Sequence, residues 1–295
     1  MAEAEPQTIT FFSQGERCSA WLYRATQSHR PCVVMAHGFG AVKAMRLYAY
    51  ATEFCRAGFN VLAFDYRHFG DSQGEPRQLL DITKQVQDWH AALSWVRDLC
   101  FVDKDKIILW GTSFSGGHVA RVGAQDQNIA AIVSQVPYFS GPSTVVSQGI
   151  RQSARLGVAG LRDIWRQWRG RQPYYLPTFG YPGSLAAMTG SGEYEAAQRI
   201  YPPEVEVRSE VAARIFLHMA QYSPGKHAVD VRCPWLIQIA SQDITTPPGP
   251  ARRIARQAPR AQLIEYKAGH FEPYTMPLFA AVVGDQINFL RSHTS

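Results

Sequence analysis

The chain has 295 residues, of which 46% are hydrophobic and 18% charged, and its formal net charge is +6. This length accommodates one α/β domain, with or without an inserted subdomain, and the composition excludes a disordered chain. The positive charge would favour anionic partners. However, Lys and Arg form no solid block and no nucleic-acid-binding motif is present, so we expect a mildly basic enzyme that binds no nucleic acid.

The N-terminus and the cysteines indicate in which cellular compartment the protein is expected. The first six residues have neither the basic nor the apolar region of a signal peptide, and no run of 18 apolar residues occurs. The five cysteines are scattered and form no C-x-x-C pair, which predicts buried thiols and a reducing compartment. These features predict a cytoplasmic protein without a membrane span.

The first 140 residues alternate between strand and helix patterns. Residues 7–12 and 17–24 flank a turn and predict an antiparallel hairpin. Short apolar runs then predict strands buried on both faces, at 31–36, 60–64, 106–110 and 129–136. Helical patterns separate these strands, at 43–57, at 81–100 with Asp81 as N-cap, and from about 116. This alternation indicates βαβ units and a parallel sheet.

Residues 142–230 interrupt the alternation with a mostly helical pattern that is rich in aromatic residues and Arg. Strands are predicted again at 234–240 and 262–266, and helices at about 248–258 and 276–291. We therefore predict an α/β core of residues 1–141 and 231–295. Residues 142–230 would be a helical lid over the carboxyl ends of the strands.

The segment from Leu109 to Gly117, LWGTSFSGG, joins a buried strand to a helix through small residues. A nucleophilic serine on such a sharp corner needs small neighbours two positions away, and Gly111 and Ser115 meet this need for Ser113. The motif does not by itself decide which serine is the nucleophile, because Ser115 is also flanked by small residues. Ser113 is preferred because it lies three residues past the apolar strand, where the turn should peak. Taken alone, the motif is also compatible with a Gly-Ser turn that has no chemistry.

A serine nucleophile needs a base that a third group orients, and after a serine of this kind the expected chain order is acid, then histidine. Asp243 directly follows the strand at 234–240, and His270 follows the strand at 262–266. We expect Asp243 as the acid and His270 as the base. Glu272 is an alternative acid, but it is too close in sequence to brace His270 easily. Taken alone, an Asp in such a turn is more often a solvated loop residue, and a lone His is more often a surface or core residue.

Two backbone N–H groups are candidates for stabilising an oxyanion. One belongs to Phe114, at the start of the helix after Ser113, and the other to Phe39 in the loop His37-Gly-Phe-Gly40. His37 precedes the corner and fits better as a loop-packing residue than as a base. We expect neither metal nor cofactor, because no nucleotide-binding loop opens a helix and three further histidines lack ligand partners at metal-site spacing: His118, His218 and His227.

Together these residues resemble the α/β-hydrolase superfamily. The motifs that carry the resemblance are His37 to Gly40, FDYRHFGDS at 64–72, the corner at Ser113, Asp243 and His270. Within the superfamily they look like the branch of X-Pro dipeptidyl-peptidase-like hydrolases and fungal polyketide transferases. The resemblance implies an α/β-hydrolase fold with a mostly parallel central sheet flanked by helices. It also implies Ser113 as nucleophile, Asp243 as acid, His270 as base, and the amides of Phe39 and Phe114 as oxyanion hole.

Ser115 departs from the pattern of this superfamily, because many members have Gly at that position. The superfamily motifs are specific for the fold and say little about the substrate, since one fold carries many activities.

The predicted lid contains two features that could select a substrate. Four of its aromatic residues are candidate substrate contacts, although packing of the lid itself explains them equally well: Trp165, Trp168, Tyr175 and Phe179. Several arginines at spacings of three and four could share one face: Arg151, Arg155, Arg162, Arg166 and Arg169. This face would attract an anionic substrate, or it is a solvated lid face or an oligomer contact.

The predicted function is a cofactor-free serine hydrolase that cleaves a carboxylic ester or related acyl compound through an acyl-enzyme on Ser113. Its partner would be a small-molecule acyl substrate, and a homo-oligomer is left open. One alternative is an acyltransferase or thioesterase that acts on a polyketide- or fatty-acyl thioester. A carbon–carbon bond hydrolase with the same triad and a catalytically silent binding protein are further alternatives. An epoxide or haloalkane hydrolase is disfavoured, because it would need a carboxylate at the corner.

Overall fold

The computed structural model describes residues 5–294. An eight-stranded sheet forms its centre. Its strands are β1 Gln7–Ser13, β2 Glu16–Tyr23, β3 Arg30–Ala36, β4 Asn60–Phe64, β5 Val102–Thr112, β6 Ala131–Gln135, β9 Trp235–Ala240 and β10 Ala261–Tyr266. Their order across the sheet is β1-β2-β4-β3-β5-β6-β9-β10. Strands β1 and β2 are antiparallel at one edge, and the other six run parallel.

Helices cover both faces of the sheet. The helices are α1 Leu47–Arg56, α2 Ile82–Arg97, α3 Phe114–Gln125, α4 Gly141–Gln148, α5 Ile150–Trp168, α6 Glu193–Gln198, α7 Phe216–Met219, α8 Pro248–Gln257 and α9 Leu278–Thr294. α1 contacts α9 on one face, and α2 contacts α3 on the other, where α8 packs on β9 and β10. Every residue of β4, β6 and β9 is buried, as continuous apolar runs predict for strands covered on both faces. The predicted mostly parallel sheet flanked by helices is confirmed.

The first helix begins later than its sequence pattern predicts. The pattern extends from residue 43, whereas α1 begins at Leu47, after Arg46 at a left-handed φ of 71°. Lys43 is drawn into the interior instead, where its Nζ lies 2.6 Å from a carboxylate oxygen of Asp65 and 2.6 Å from one of Asp71. Its backbone N–H also donates to Asp65. This buried ion pair takes precedence over the local helical pattern.

Residues 136–234, all of which the structure describes, add no strand to the central sheet. Besides α4 to α7, they form an antiparallel pair that the sequence analysis did not predict, β7 Tyr175–Pro177 and β8 Glu210–Ala212. Strands of three residues are too short to show an alternating pattern. The pair is fixed by tertiary contacts, since the N–H of Ala212 donates to the Gln78 carbonyl and the Gln78 amide donates to the carbonyls of Arg208 and Glu210.

The sequence analysis predicted buried cysteine thiols and no membrane-spanning helix. Cys18, Cys32 and Cys55 are buried free thiols, whereas Cys100 is exposed. Burial raises the pKa of the Cys32 thiol, so this side chain is a neutral core residue. Within residues 5–294, no helix combines the length and the apolar character that crossing a bilayer requires.

A buried carboxylate fixes α5 to the rest of the protein. Asp163 is fully buried and accepts hydrogen bonds from the Arg214 guanidinium at 2.7 and 3.0 Å. It also accepts from the backbone N–H groups of Tyr174 at 2.8 Å and Arg214 at 2.9 Å. A small apolar cluster that includes Leu156 and Leu176 packs beside it. The helix is therefore held through one face only.

We predict that Asp163→Ala lowers the free energy of unfolding by about 3–5 kcal/mol, because the Arg214 charge would be left without its partner. Urea denaturation measures this loss. The matched control is Glu210→Ala, which removes an ion pair to Arg208 whose side chains are 49% and 31% exposed. The control should cost at most about 1 kcal/mol. Equal losses in the two variants would contradict the anchoring role of Asp163.

Candidate active site

The corner between β5 and α3 holds Ser113 in a backbone conformation that serine rarely adopts. Its φ is 55° and its ψ is −119°, which costs about 1–3 kcal/mol for a residue other than glycine. Two hydrogen bonds hold this conformation: the Ser113 N–H donates to the Gln135 carbonyl, and its carbonyl accepts from the Tyr138 N–H, both at 2.9 Å. The corner therefore displays Ser113 at the carboxyl edge of the sheet.

Glycines around the corner allow an unusually close packing. A Cβ on Gly111 would lie 2.3 Å from the carbonyl oxygen of Ser115, and one on Gly117 would lie 2.2 Å from that of Tyr138. A Cβ on Gly38 would lie 2.9 Å from the Cβ of Ser113. The loop that contains Gly38 therefore passes directly beside Ser113.

The structure brings Ser113, His270 and Asp243 together. The Nε2 atom of His270 lies 3.1 Å from Ser113 Oγ, and its Nδ1 atom lies 2.7 Å from Asp243 Oδ2. Asp243 follows β9 and His270 follows β10, whose carboxyl ends lie at the same edge as that of β5. Glu272, the alternative acid, accepts instead from the backbone N–H of Gly269. These contacts place Ser113, His270 and Asp243 in one hydrogen-bonded line.

The environment of His270 shifts its pKa upward. Burial disfavours the charged imidazolium, but the negative charge and the hydrogen bond of Asp243 outweigh burial, and the charge of Glu193 adds to them. The pKa of His270 therefore lies above its usual 6.5. A raised pKa makes the imidazole a better proton acceptor.

The sequence analysis did not identify two polar residues that lie near Asp243 and His270. Thr246 donates its backbone N–H to Asp243 Oδ1 at 2.7 Å, and its hydroxyl lies 2.8 Å from Oδ2. Glu193 is buried on α6 and accepts hydrogen bonds from the Thr245 hydroxyl and the Gly190 N–H. The Asp-x-x-Thr spacing is a turn signal that could have indicated Thr246. No local signal indicates Glu193, because it comes from the inserted segment.

Ser115 and His37, which the sequence left as alternatives for nucleophile and base, face other partners. Ser115 is fully buried, with its Oγ 2.6 Å from the Tyr66 hydroxyl. The His37 ring packs edge-to-face on Tyr66 at 4.9 Å, and its Nδ1 lies 3.0 Å from the Gly38 carbonyl. Burial lowers the pKa of His37, in contrast to that of His270.

The two residues that carry the nominated amides, Phe39 and Phe114, both lie close to Ser113 in the chain or in the cavity lining. Phe114 is the first residue of α3, so its N–H has no acceptor within the helix and lies at the positive end of the helix dipole. Phe39 follows Gly38, and the rings of Phe39 and Phe114 meet edge-to-face at 5.7 Å. In the described part of the chain, no group of three or more His, Cys, Asp or Glu residues is arranged to hold a metal ion.

A narrow apolar cavity lies over Ser113. Its volume is about 30 Å³, which is room for one or two water molecules. Its lining includes Phe39 and Phe271 and three residues of the segment between β6 and β9: Phe179, Met188 and Ile200. That segment therefore contributes to the wall of the cavity that holds Ser113.

The four aromatic residues nominated as substrate contacts lie in different places. Phe179 lines the cavity. The Tyr175 hydroxyl donates to the Arg77 carbonyl, outside the cavity lining. Trp165 and Trp168 project from the exposed side of α5, because the opposite side of that helix holds Asp163 and packs inward. The structure thus separates Tyr175, Trp165 and Trp168 from the cavity.

We predict that Gly111→Ala destabilises the protein by about 1–3 kcal/mol, because its Cβ would overlap the backbone of Ser115. Thermal unfolding measures the effect. Gly157→Ala on α5 is the matched control, since a Cβ there meets nothing within 4 Å and alanine favours a helix. The control should be neutral or stabilising. A Gly111→Ala protein as stable as the control would contradict the close packing of the corner.

Comparison with known proteins identifies the family. The family model described as "Serine aminopeptidase, S33" matches residues 27–271. Quorum-quenching protein AidA of Acinetobacter baumannii is 37% identical over 287 residues, which are 97% of this chain and 94% of that protein. Polyketide transferase af380 of Aspergillus fumigatus is 27% identical and covers 92% and 93% of the two chains. The solved structure of DcsB with its substrate analogue superposes with a TM-score of 0.86 at 25% identity, covering 98% and 99%. The chain therefore belongs to the serine aminopeptidase S33 family of α/β hydrolases.

Proposed function

We propose that the protein is a serine hydrolase that cleaves a carboxylic ester or a related acyl compound through an acyl-enzyme on Ser113. The observation that carries this proposal is the hydrogen-bonded line from Ser113 through His270 to Asp243, at the floor of an apolar cavity. A serine hydroxyl is a weak nucleophile by itself, and a neighbouring base held by a carboxylate activates it.

In the proposed reaction, His270 Nε2 takes the proton of Ser113 Oγ as this oxygen bonds to the substrate carbonyl carbon. The imidazolium then gives its proton to the leaving group, the bond to that group breaks, and an acyl-enzyme remains. Water attacks the acyl-enzyme by the same steps and releases the acid. Asp243 holds the imidazole and stabilises its charged form. The amides of Phe39 and Phe114 donate to the oxyanion, and one such donor typically contributes about 10²–10³-fold to kcat.

The proposed lid is the segment of residues 142–230. Phe179, Met188 and Ile200 support this role because they line the cavity beside Ser113. Their apolar side chains favour an acyl chain over a charged group. A volume of about 30 Å³ is far below that of a typical small-molecule site, so admission of a substrate requires the lining side chains or the inserted segment to shift.

A second candidate is acyl transfer or thioester cleavage with the same residues. The relative named as a polyketide transferase favours it. Transfer differs from hydrolysis only in the last step, where an alcohol or amine replaces water. Product analysis with and without an added alcohol distinguishes the two, because a new ester forms only if the acceptor competes with water.

We predict that Ser113→Ala lowers kcat/KM by at least about 10³-fold on the best substrate of a panel of esters and thioesters of varied chain length. The same variant should fail to label with a fluorophosphonate probe. Ser115→Ala is the matched control and should keep both labelling and most activity, because Ser115 faces Tyr66. Labelling of the Ser113→Ala protein would exclude Ser113 as the nucleophile. A wild-type protein that neither labels nor turns over any panel member would indicate a silent binding protein.

We predict that kcat/KM rises with pH through an apparent pKa above 6.5, since only neutral His270 accepts the serine proton and its pKa is raised. Glu193→Gln should move this midpoint down, because it removes one of the negative charges that favour the imidazolium. Glu195→Gln, an exposed neighbour on α6, is the control and should leave the midpoint unchanged. A midpoint at or below 6.5, or one that Glu193→Gln does not move, would contradict this account of His270.

A further inference from the structure

An apolar stripe is exposed along α5. It is formed by residues spaced three and four apart, which therefore lie on one face of the helix: Ile150, Ala154, Val158, Leu161, Trp165 and Trp168. Ile150 is 85% exposed, Trp168 82% and Val158 66%. Among the described residues, the other large apolar side chains of comparable exposure come from separate elements, apart from Val146 on α4 just before this helix. A continuous exposed stripe of this kind indicates an interaction surface.

A row of arginines borders the α5 stripe along one side. Its members are Arg151, Arg155, Arg162, Arg166 and Arg169. Their contacts are with carbonyl groups and rings: Arg155 donates to the Gly183 carbonyl at 2.9 Å, and the Arg162 guanidinium lies 4.2 Å from the centre of the Tyr174 ring. Asp163, the one acid on α5, is committed to Arg214. Among residues 5–294, no carboxylate forms an ion pair with this row.

The combination of stripe and row limits what can cover the surface. A second copy packed antiparallel along the stripe would bring one arginine row against the other, and like charges disfavour such a contact. A second copy packed parallel would offer the row no carboxylate from its own α5, because Asp163 is committed to Arg214. A partner must therefore offer negative charge next to an apolar interior. The surface of a bilayer that contains anionic phospholipid offers both. Arginine and tryptophan also suit this boundary, because each has an apolar body and a polar end.

We propose that the exposed face of α5 binds the surface of membranes that contain anionic phospholipid. Trp165 and Trp168 lie at the level of the headgroups, Val158 and Leu161 enter the acyl boundary, and the arginine row contacts the phosphates. The protein then lies on the membrane without crossing it. This binding does not depend on the proposed function.

The proposed membrane face adjoins the segment that lines the cavity of the candidate active site. The Gln148 amide donates to the Ala187 carbonyl at 2.9 Å, and the Gln152 amide donates to the Ala186 carbonyl at 3.0 Å. Met188, the next residue, lines the cavity over Ser113. An apolar acyl compound dissolved in the bilayer would thus meet the protein next to the segment that lines this cavity.

Sedimentation with lipid vesicles tests the proposal. The wild-type protein should bind vesicles that contain about one third phosphatidylglycerol at least about tenfold more tightly than pure phosphatidylcholine vesicles, and high salt should weaken the binding. The double variant Arg162→Glu/Arg169→Glu should lose at least about tenfold in affinity. The control Arg253→Glu/Arg256→Glu changes the net charge equally, on exposed positions of α8, and should bind as the wild type does.

The apolar stripe is tested by Trp168→Ser, which should weaken binding by at least about fivefold. Phe12→Ser is the control, because Phe12 is 70% exposed on β1, and it should have no effect. Circular dichroism verifies that each variant is folded. Absence of vesicle binding by the wild type at low salt, equal binding to both lipid mixtures, or equal losses in variants and controls would overturn the proposal. So would a concentration-dependent dimer that Arg162→Glu/Arg169→Glu abolishes, without vesicle binding. All readouts are of binding, so they remain informative if the hydrolase proposal fails.

Discussion

The backbone of Ser113 stands at φ 55° and ψ −119°, a conformation that serine does not adopt unless its surroundings hold it there. The surroundings here are the middle of a parallel sheet, since β5 is bonded on one side to β3 and on the other to β6. The carbonyl of Gln135, at the end of β6, fixes the Ser113 amide, and Gly111 lets the start of α3 approach the strand. The hydrogen bonds and packing of the sheet thus offset the backbone strain at Ser113. The contacts that the serine makes with distant parts of the chain depend on this fixed corner.

The parallel sheet also explains how residues 157 positions apart in the chain come to meet. Strands β5, β6, β9 and β10 are neighbours in that order, and their carboxyl ends lie at one edge. Ser113 leaves the first of these strands, and Asp243 and His270 leave the last two. The loop after β9 is itself held in place, because the Thr246 hydroxyl lies 3.0 Å from the carbonyl of Val136, just past β6. Asp243 and His270 are therefore positioned by the sheet edge together with contacts inside their own loops, such as those of Thr246 with Asp243.

The segment between β6 and β9 extends from the carboxyl edge of the sheet to the protein surface. Glu193 reaches from it to Thr245, beside the acid loop, and raises the pKa of His270. Phe179 and Met188 line the cavity that also holds Ser113. Farther out, α5 is anchored by the buried Asp163 on one face and leaves the opposite face to solvent. The inner side of this segment thus contacts the candidate active site, and its outer side forms the proposed membrane face.

The sequence by itself determined the core strands, the corner at Ser113 and the positions of Asp243 and His270 after their strands, because these follow from local patterns: continuous apolar runs, small residues at fixed spacing, and a residue directly after a strand. Only the tertiary structure decided where α1 begins, that β7 and β8 pair, and that Thr246 and Glu193 stand beside Asp243 and His270, because each depends on a partner far away in the chain. The tertiary structure likewise decided that Trp165 and Trp168 lie on the exposed face of α5. Helical spacing shows which residues of α5 share a face. It does not show which face packs inward, and the buried carboxylate of Asp163 decides that.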